Sequence, residues 1–295
     1  MAVDPLVTVE WLKDQLGNPD VRPVDARWYL TERGRGRDEY NAGHIPGAAY
    51  MDVDDDLSAP RGQGPGRHPL PSPEAFAAAA GRAGIGPSTH VVAYDSAGGA
   101  YAARLWWLLR YFGHESVSLL DGGWPAWQAA GGPIERAIPE IAPAAFTPLP
   151  HPEMVVDAAA VDRLRRDPRA LILDARANER YEGRIEPIDP QAGHIPGARS
   201  APYAGNLAAD GRMKLPDELR SRYIDLGADA AQTIVCYCGS GVTAAHDAFA
   251  LYLAGRADAL IYEGSWSDWS SDPTRPVATG PEPGIEGGIS VQKFD

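Results

Sequence analysis

The 295-residue chain has only two cysteines, Cys236 and Cys238, and three lysines, Lys13, Lys214 and Lys293. Two thiols exclude a disulfide framework. A structural zinc site would need more thiolate or imidazole ligands at short spacing than the sequence offers, so no metal is expected. The scarcity of lysine and a net charge of −13 argue against general nucleic-acid binding, which relies on clustered basic side chains to neutralise phosphates. No apolar run approaches the ~18 residues of a membrane span. The start, Met1-Ala2-Val3-Asp4-Pro5, lacks the basic-then-apolar pattern of a secretory signal. These absences lead to the expectation of a reduced, soluble, cytoplasmic protein with no nucleic-acid or membrane partner. Nearly all its positive charge is arginine, whose forked guanidinium suits planar or tetrahedral anions, so single arginines could still serve an acidic substrate.

What the chain does have is itself twice. Val24-Asp25-Ala26-Arg27 recurs as Leu173-Asp174-Ala175-Arg176, and Ala42-Gly43-His44-Ile45-Pro46-Gly47-Ala48 recurs unchanged at 192–198. Val91-Val92-Ala93-Tyr94-Asp95 matches Ile234-Val235-Cys236-Tyr237-Cys238, and Leu120-Asp121-Gly122-Gly123-Trp124 matches Tyr262-Glu263-Gly264-Ser265-Trp266. The four matches keep their order at offsets between 142 and 150 residues, far above solenoid periods, which indicates a duplicated domain. Pro-rich sequence separates the copies. The expected division is a first domain over 1–137, a linker over 138–153, and a second domain over 154–295 ending in an extended Pro- and Gly-rich tail.

Within the second copy, 170–174, 233–237 and 259–262 read as buried strands, while 217–223 and 242–254 read as helices. Strand, helix, strand at this spacing predicts an α/β fold, each domain a parallel sheet flanked by helices on both faces. Sites in such sheets form at the carboxyl ends of strands, and Cys238 falls at that end of its strand. It opens the loop Cys238-Gly239-Ser240-Gly241-Val242-Thr243 ahead of a helix. The glycines let successive N–H groups turn inward, and the helix start adds unpaired donors and partial positive charge. An anion at the loop centre would be held without a basic side chain. Elsewhere a lone strand cysteine reads as a small buried hydrophobe, and Cys236 is read that way here, with a resolving thiol as the alternative. The strand–Cys–Gly-x-Gly–helix context marks Cys238 as reactive instead.

The two Gly-His-Ile-Pro-Gly-Ala segments, Leu119-Leu120-Asp121-Gly122-Gly123-Trp124 and the six-residue loop together resemble the tandem-domain rhodanese family, the thiosulfate and 3-mercaptopyruvate sulfurtransferases, over essentially the whole chain. The resemblance implies a catalytic second domain and a first domain that has lost its cysteine, and Asp95 indeed stands where Cys238 has its counterpart. It implies sulfur transfer through a Cys238 persulfide, from a small-molecule donor to a thiol, a thioredoxin-like protein or cyanide, with no cofactor. Related cysteine phosphatases carry a longer loop with an arginine six residues after the cysteine; that position is Ala244 here. A Gly-Ser-Gly loop without basic residues resembles the 3-mercaptopyruvate branch, with Ser240 handling a proton; a thiosulfate-preferring enzyme is the alternative. A non-catalytic interaction module is the rival from another class.

For the donor carboxylate, Arg180 matches the family's substrate arginine, and Arg184 is the nearest candidate for the second one. Gly239, Gly241, Val242 and Thr243 would line the loop. The same branch implies an aspartate of the first domain in a relay with Ser240. Gly36 stands where that aspartate is expected, leaving Asp38 as a substitute, and His44 as a possible contributor although His194 repeats it. Arg176 reads as structural because Arg27 repeats it.

Overall fold

A computed structural model describes residues 3–284. The first half runs β1 (Leu6–Val7), α1 (Val9–Asp14), β2 (Val21–Asp25), α2 (Arg35–Ala42), β3 (Ala49–Tyr50), α3 (Pro73–Arg82), β4 (His90–Tyr94), α4 (Ala102–Tyr111), β5 (Val117–Leu120) and α5 (Gly123–Ala129). The second runs β6 (Val155–Val156), α6 (Ala158–Leu164), β7 (Ala170–Asp174), α7 (Asn178–Tyr181), β8 (Arg199–Ser200), α8 (Pro216–Asp225), β9 (Thr233–Tyr237), α9 (Ala244–Leu253), β10 (Leu260–Tyr262) and α10 (Ser265–Trp269). Each half forms a five-stranded parallel sheet, ordered β1-β5-β4-β2-β3 and β6-β10-β9-β7-β8. The two orders are the same, as duplication requires.

Period-two alternation divides each strand between two cores. Val91 and Ala93 of β4 join one apolar cluster while Val92 and Tyr94 join another, and β9 likewise splits Ile234 and Cys236 from Val235 and Tyr237. The cluster that takes Ala93 and Cys236 is continuous across both halves, so α4 and α9 pack against each other between the sheets. Trp106 meets Phe249 edge-on at 4.9 Å there, and Arg110 lies over the rings of Trp106 and Tyr252. Because α4 is enclosed on all sides, residues 102–109 are all buried, Arg104 among them.

Helix starts follow local chemistry. Ser72 Oγ accepts from Ala75 N at 3.2 Å ahead of Pro73, and Asp157 Oδ1 accepts from Ala160 N at 2.7 Å; such caps contribute about 1 kcal/mol each. The Pro-rich connection between the sheets is strapped onto the first half: Ala144 N donates to Gly81 O and Leu149 N to Phe112 O. After α10 the chain runs along the second histidine motif, where Ala278 and His194 exchange backbone hydrogen bonds. The expected tail extends beyond this point, and its last part, 285–295, lies outside the described residues.

Candidate active site

The loop after β9 closes around Cys238. Gly241 N donates to Cys238 Sγ at 3.1 Å, and the thiol is 2% exposed. Gly241 has φ +82°, and a Cβ there would stand 2.5 Å from Glu263 O, so this turn requires glycine. Cys238 N donates to Ser265 Oγ at 3.1 Å, and Cys238 O accepts from Trp266 N. Ser265 is the one non-glycine residue with positive φ (53°) among the described residues; in the first half the matching residue is Gly123. Val242 is buried, and Thr243 immediately precedes α9. The helix starts at Ala244, two residues later than the pattern predicts, because the turn around Sγ uses those residues. Cys236 lies in the core, and burial pushes its thiol pKa well up.

In the first half the same cradle is filled from within. Asp95 is fully buried. Its Oδ1 accepts from Ala97 N and Gly99 N, and its Oδ2 from Tyr101 N and Ala102 N, at 2.7–2.9 Å. Four backbone donors converging on one carboxylate show that this loop shape is an anion nest. The first-domain copy fills its loop with a carboxyl group of its own chain.

Ser240 reaches across the domain interface. Its Oγ lies 2.7 Å from His68 Nδ1, and His68 Nε2 lies 3.0 Å from Asp54 Oδ1. Trp28 Nε1 donates to Asp54 Oδ2 at 2.9 Å and its ring meets His68 edge-on. The hydrogen bond from His68, helped by that from Trp28, holds the Asp54 carboxyl below the usual range, so it is an acceptor. With a ring proton on Nε2 facing this carboxylate, Nδ1 is left to accept from the Ser240 hydroxyl. The arrangement is a hydroxyl–imidazole–carboxylate chain.

The structure brings neither Asp38 nor His44 to this chain. Asp38 is exposed on α2. His44 is buried, stacked 4.1 Å from Tyr40, with Nδ1 2.8 Å from Tyr40 O; His194 repeats this against Tyr181. Both histidines brace their turns. An aspartate cannot occupy position 36, because a Cβ there would collide with Arg27 O. Arg176 and Arg27 each grip an aspartate of their own strand, Asp174 and Asp25.

Arg180 is brought to the loop: a Cβ on Gly239 would lie 3.3 Å from its Nη1. Arg184 is not. It is 58% exposed and pairs with Glu182 and Glu179. Sequence reasoning passed over Arg67, His68 and Asp54, which all lie in the connection from β3 to α3. Arg104 was also unforeseen. Fully buried on α4, it donates to Gly241 O at 3.1 Å and to His68 O at 3.2 Å, tying the loop to the His68 segment. Burial pulls its pKa to about 10, so it stays charged near neutrality. Beside His68 and Arg67 lies a cavity of about 610 Å³, also lined by Trp28, Asp54 and Ile188. Among the described residues no group of His, Cys, Asp and Glu could hold a metal ion, and no helix is long and apolar enough to cross a membrane.

The fold and loop are those of a tandem rhodanese, and comparison with known proteins agrees. The family model of the rhodanese-like domain matches residues 8–130 and 157–272, and the chain belongs to that family. A probable 3-mercaptopyruvate sulfurtransferase of Pseudomonas aeruginosa is 44% identical over 278 residues, covering 93% of this chain and 98% of that one. SseB of Mycobacterium tuberculosis, provisionally a thiosulfate sulfurtransferase, is 41% identical, covering 90% and 93%. The crystal structure of SseA from Escherichia coli, a 3-mercaptopyruvate sulfotransferase, superposes with a TM-score of 0.80 at 34% identity, covering 90% of this chain and 100% of that one. Sulfurtransferase activity is the function these relationships support.

Proposed function

We propose that the protein takes a sulfur atom from 3-mercaptopyruvate and passes it to a thiol acceptor through a persulfide on Cys238. The Cys238 thiolate attacks the donor sulfur and the donor's C–S bond breaks. The carbon left behind takes up the proton that the donor thiol gives, so pyruvate leaves and the persulfide remains. The Gly241 N–H, already on Sγ, supports the negative charge in the loop. The acceptor, a small thiol, a thioredoxin-like protein or cyanide, then attacks the outer sulfur and Cys238 departs as thiolate. No cofactor enters either half, and a reduced cytoplasmic setting suits the chemistry.

One observation carries the choice of donor: the Ser240–His68–Asp54 chain beside Cys238. Sulfur transfer from thiosulfate releases sulfite and moves no proton. Transfer from 3-mercaptopyruvate moves one from sulfur to carbon, and a hydroxyl–imidazole pair is built for that task. Arg180, at the loop, suits the donor's carboxylate. The test is kcat/KM for the two donors with one acceptor. A larger value for 3-mercaptopyruvate supports the reading; a larger value for thiosulfate overturns the donor, and inertness to both favours a binding module.

A further inference from the structure

Two arginines from different domains converge on the loop. A Cβ on Gly239 would lie 3.0 Å from Arg67 Nη2 and 3.3 Å from Arg180 Nη1. One carboxylate bridges them: Asp189 Oδ1 accepts from Arg67 Nη1, and its Oδ2 accepts from Arg180 Nη2 at 3.1 Å. The Asp189 side chain is 3% exposed. Glu186 takes the other edge of Arg180, with Oε1 2.7 Å from Nη2.

We propose that Arg67 and Arg180 form a clamp, one arm from each domain, for the carboxylate of the sulfur donor, and that Asp189 fills the clamp in the free enzyme and yields it when the donor binds. This rests on the sulfur-transfer reading of Cys238. The pair already holds a carboxylate, which shows the chemistry it recognises. Arg67 also supplies the second cation that Arg184, turned to solvent, does not. Charge balance argues for exchange. Three guanidiniums, Arg67, Arg180 and Arg176, face three carboxylates, Asp189, Glu186 and Asp174, and a donor anion added to them would leave four. Asp189 is the one that bridges both arms, and burial raises its pKa.

Access points the same way. The bridge crosses the domain interface beside a loop whose thiol is almost wholly covered, so a donor reaches Cys238 once the bridge parts. Residues 182–192, on which Asp189 rides, contain no helix or strand, so the carboxylate can withdraw without breaking regular structure. The cavity beside Arg67 and His68 opens next to it, with Ile188 in its wall.

The test uses the full-length enzyme with Arg67→Gln and Asp189→Asn, measuring KM and kcat for 3-mercaptopyruvate and competitive inhibition by pyruvate, a carboxylate without the thiol. Arg67→Gln is expected to raise KM and the pyruvate inhibition constant by about tenfold or more, the loss falling mainly on KM rather than kcat. Asp189→Asn is expected to lower both constants several-fold, a gain that misfolding cannot produce. An unchanged KM in Arg67→Gln overturns the clamp, and an unchanged or raised KM in Asp189→Asn overturns the displacement. Wild-type protein that takes sulfur from neither donor overturns the sulfur-transfer reading itself, an outcome distinct from both.

Discussion

Ser240 Oγ and His68 Nδ1 meet at 2.7 Å although 172 residues separate them in the chain. The contact joins the domain without a cysteine to the Cys238 loop, and His68, Asp54 and Arg67 all come from that domain. The first half closes its own loop with Asp95, and its β3–α3 connection reaches the Cys238 loop of the other half.

His68→Gln breaks the proton path while keeping a hydrogen-bonding side chain. Turnover of 3-mercaptopyruvate should fall about 100-fold or more, the usual scale for a lost general acid–base, while transfer from thiosulfate stays within about tenfold. Ser240→Ala should show the same bias toward loss with the thiol donor. Parallel loss with both donors would mean that the chain only shapes the loop.

Arg104→Met leaves the carbonyls of Gly241 and His68 without their buried donor. Each unsatisfied group costs about 1–3 kcal/mol, and the loop and the His68 segment lose their common tether. Expected are a lower Tm and a fall in kcat of at least about tenfold, with partial recovery in Arg104→Lys. Thermal melts and steady-state rates on the three proteins decide this.

Asp95→Ala removes the acceptor from a nest of four inward N–H groups. The loss should be at least about 3 kcal/mol of stability, or a drop in Tm of roughly 5–10 °C, with kcat little changed in the protein that remains folded. A variant as stable as wild type would show that the nest does not need its carboxylate.

Much of this molecule is legible in the sequence because it depends on local pattern. The short apolar and β-branched run at 233–237 defines β9 at its observed ends, and the Gly-flanked cysteine marks the loop. The contacts across the interface are not legible. His68, Arg67 and Asp54 lie in a stretch between β3 and α3 that has no helix or strand and no clear repeat partner, so neither periodicity nor duplication singles them out. Their meeting with Ser240 follows from how α4 and α9 dock the two halves. His44 looked functional for the opposite reason: the turn it braces makes its motif conspicuous in both copies. Arg184 lies close to Arg180 in sequence yet faces solvent, and Arg184→Ala should leave the donor KM within about twofold of wild type.

Asp247 sets a pH dependence of folding. Burial raises its carboxyl to about 7, although Asn206 and Tyr223 donate to it. The folded state therefore holds this proton above the pH at which the unfolded chain gives it up. Stability from this group is full below about pH 4 and is lost as pH rises to about 7, by a few kcal/mol in all. Asp247→Asn should flatten the decline: between pH 5.5 and 8, urea unfolding should show wild type losing more stability than the variant. Equal losses would contradict the assignment.

The most direct test of sulfur carriage is the intact mass of the protein after brief incubation with 3-mercaptopyruvate and removal of excess donor. The account predicts a gain of one sulfur, about 32 Da, that cyanide removes, that maps to Cys238 and that is absent from Cys238→Ala. A wild-type protein that gains no mass, or a Cys238→Ala protein that gains the same cyanide-labile sulfur, would contradict it.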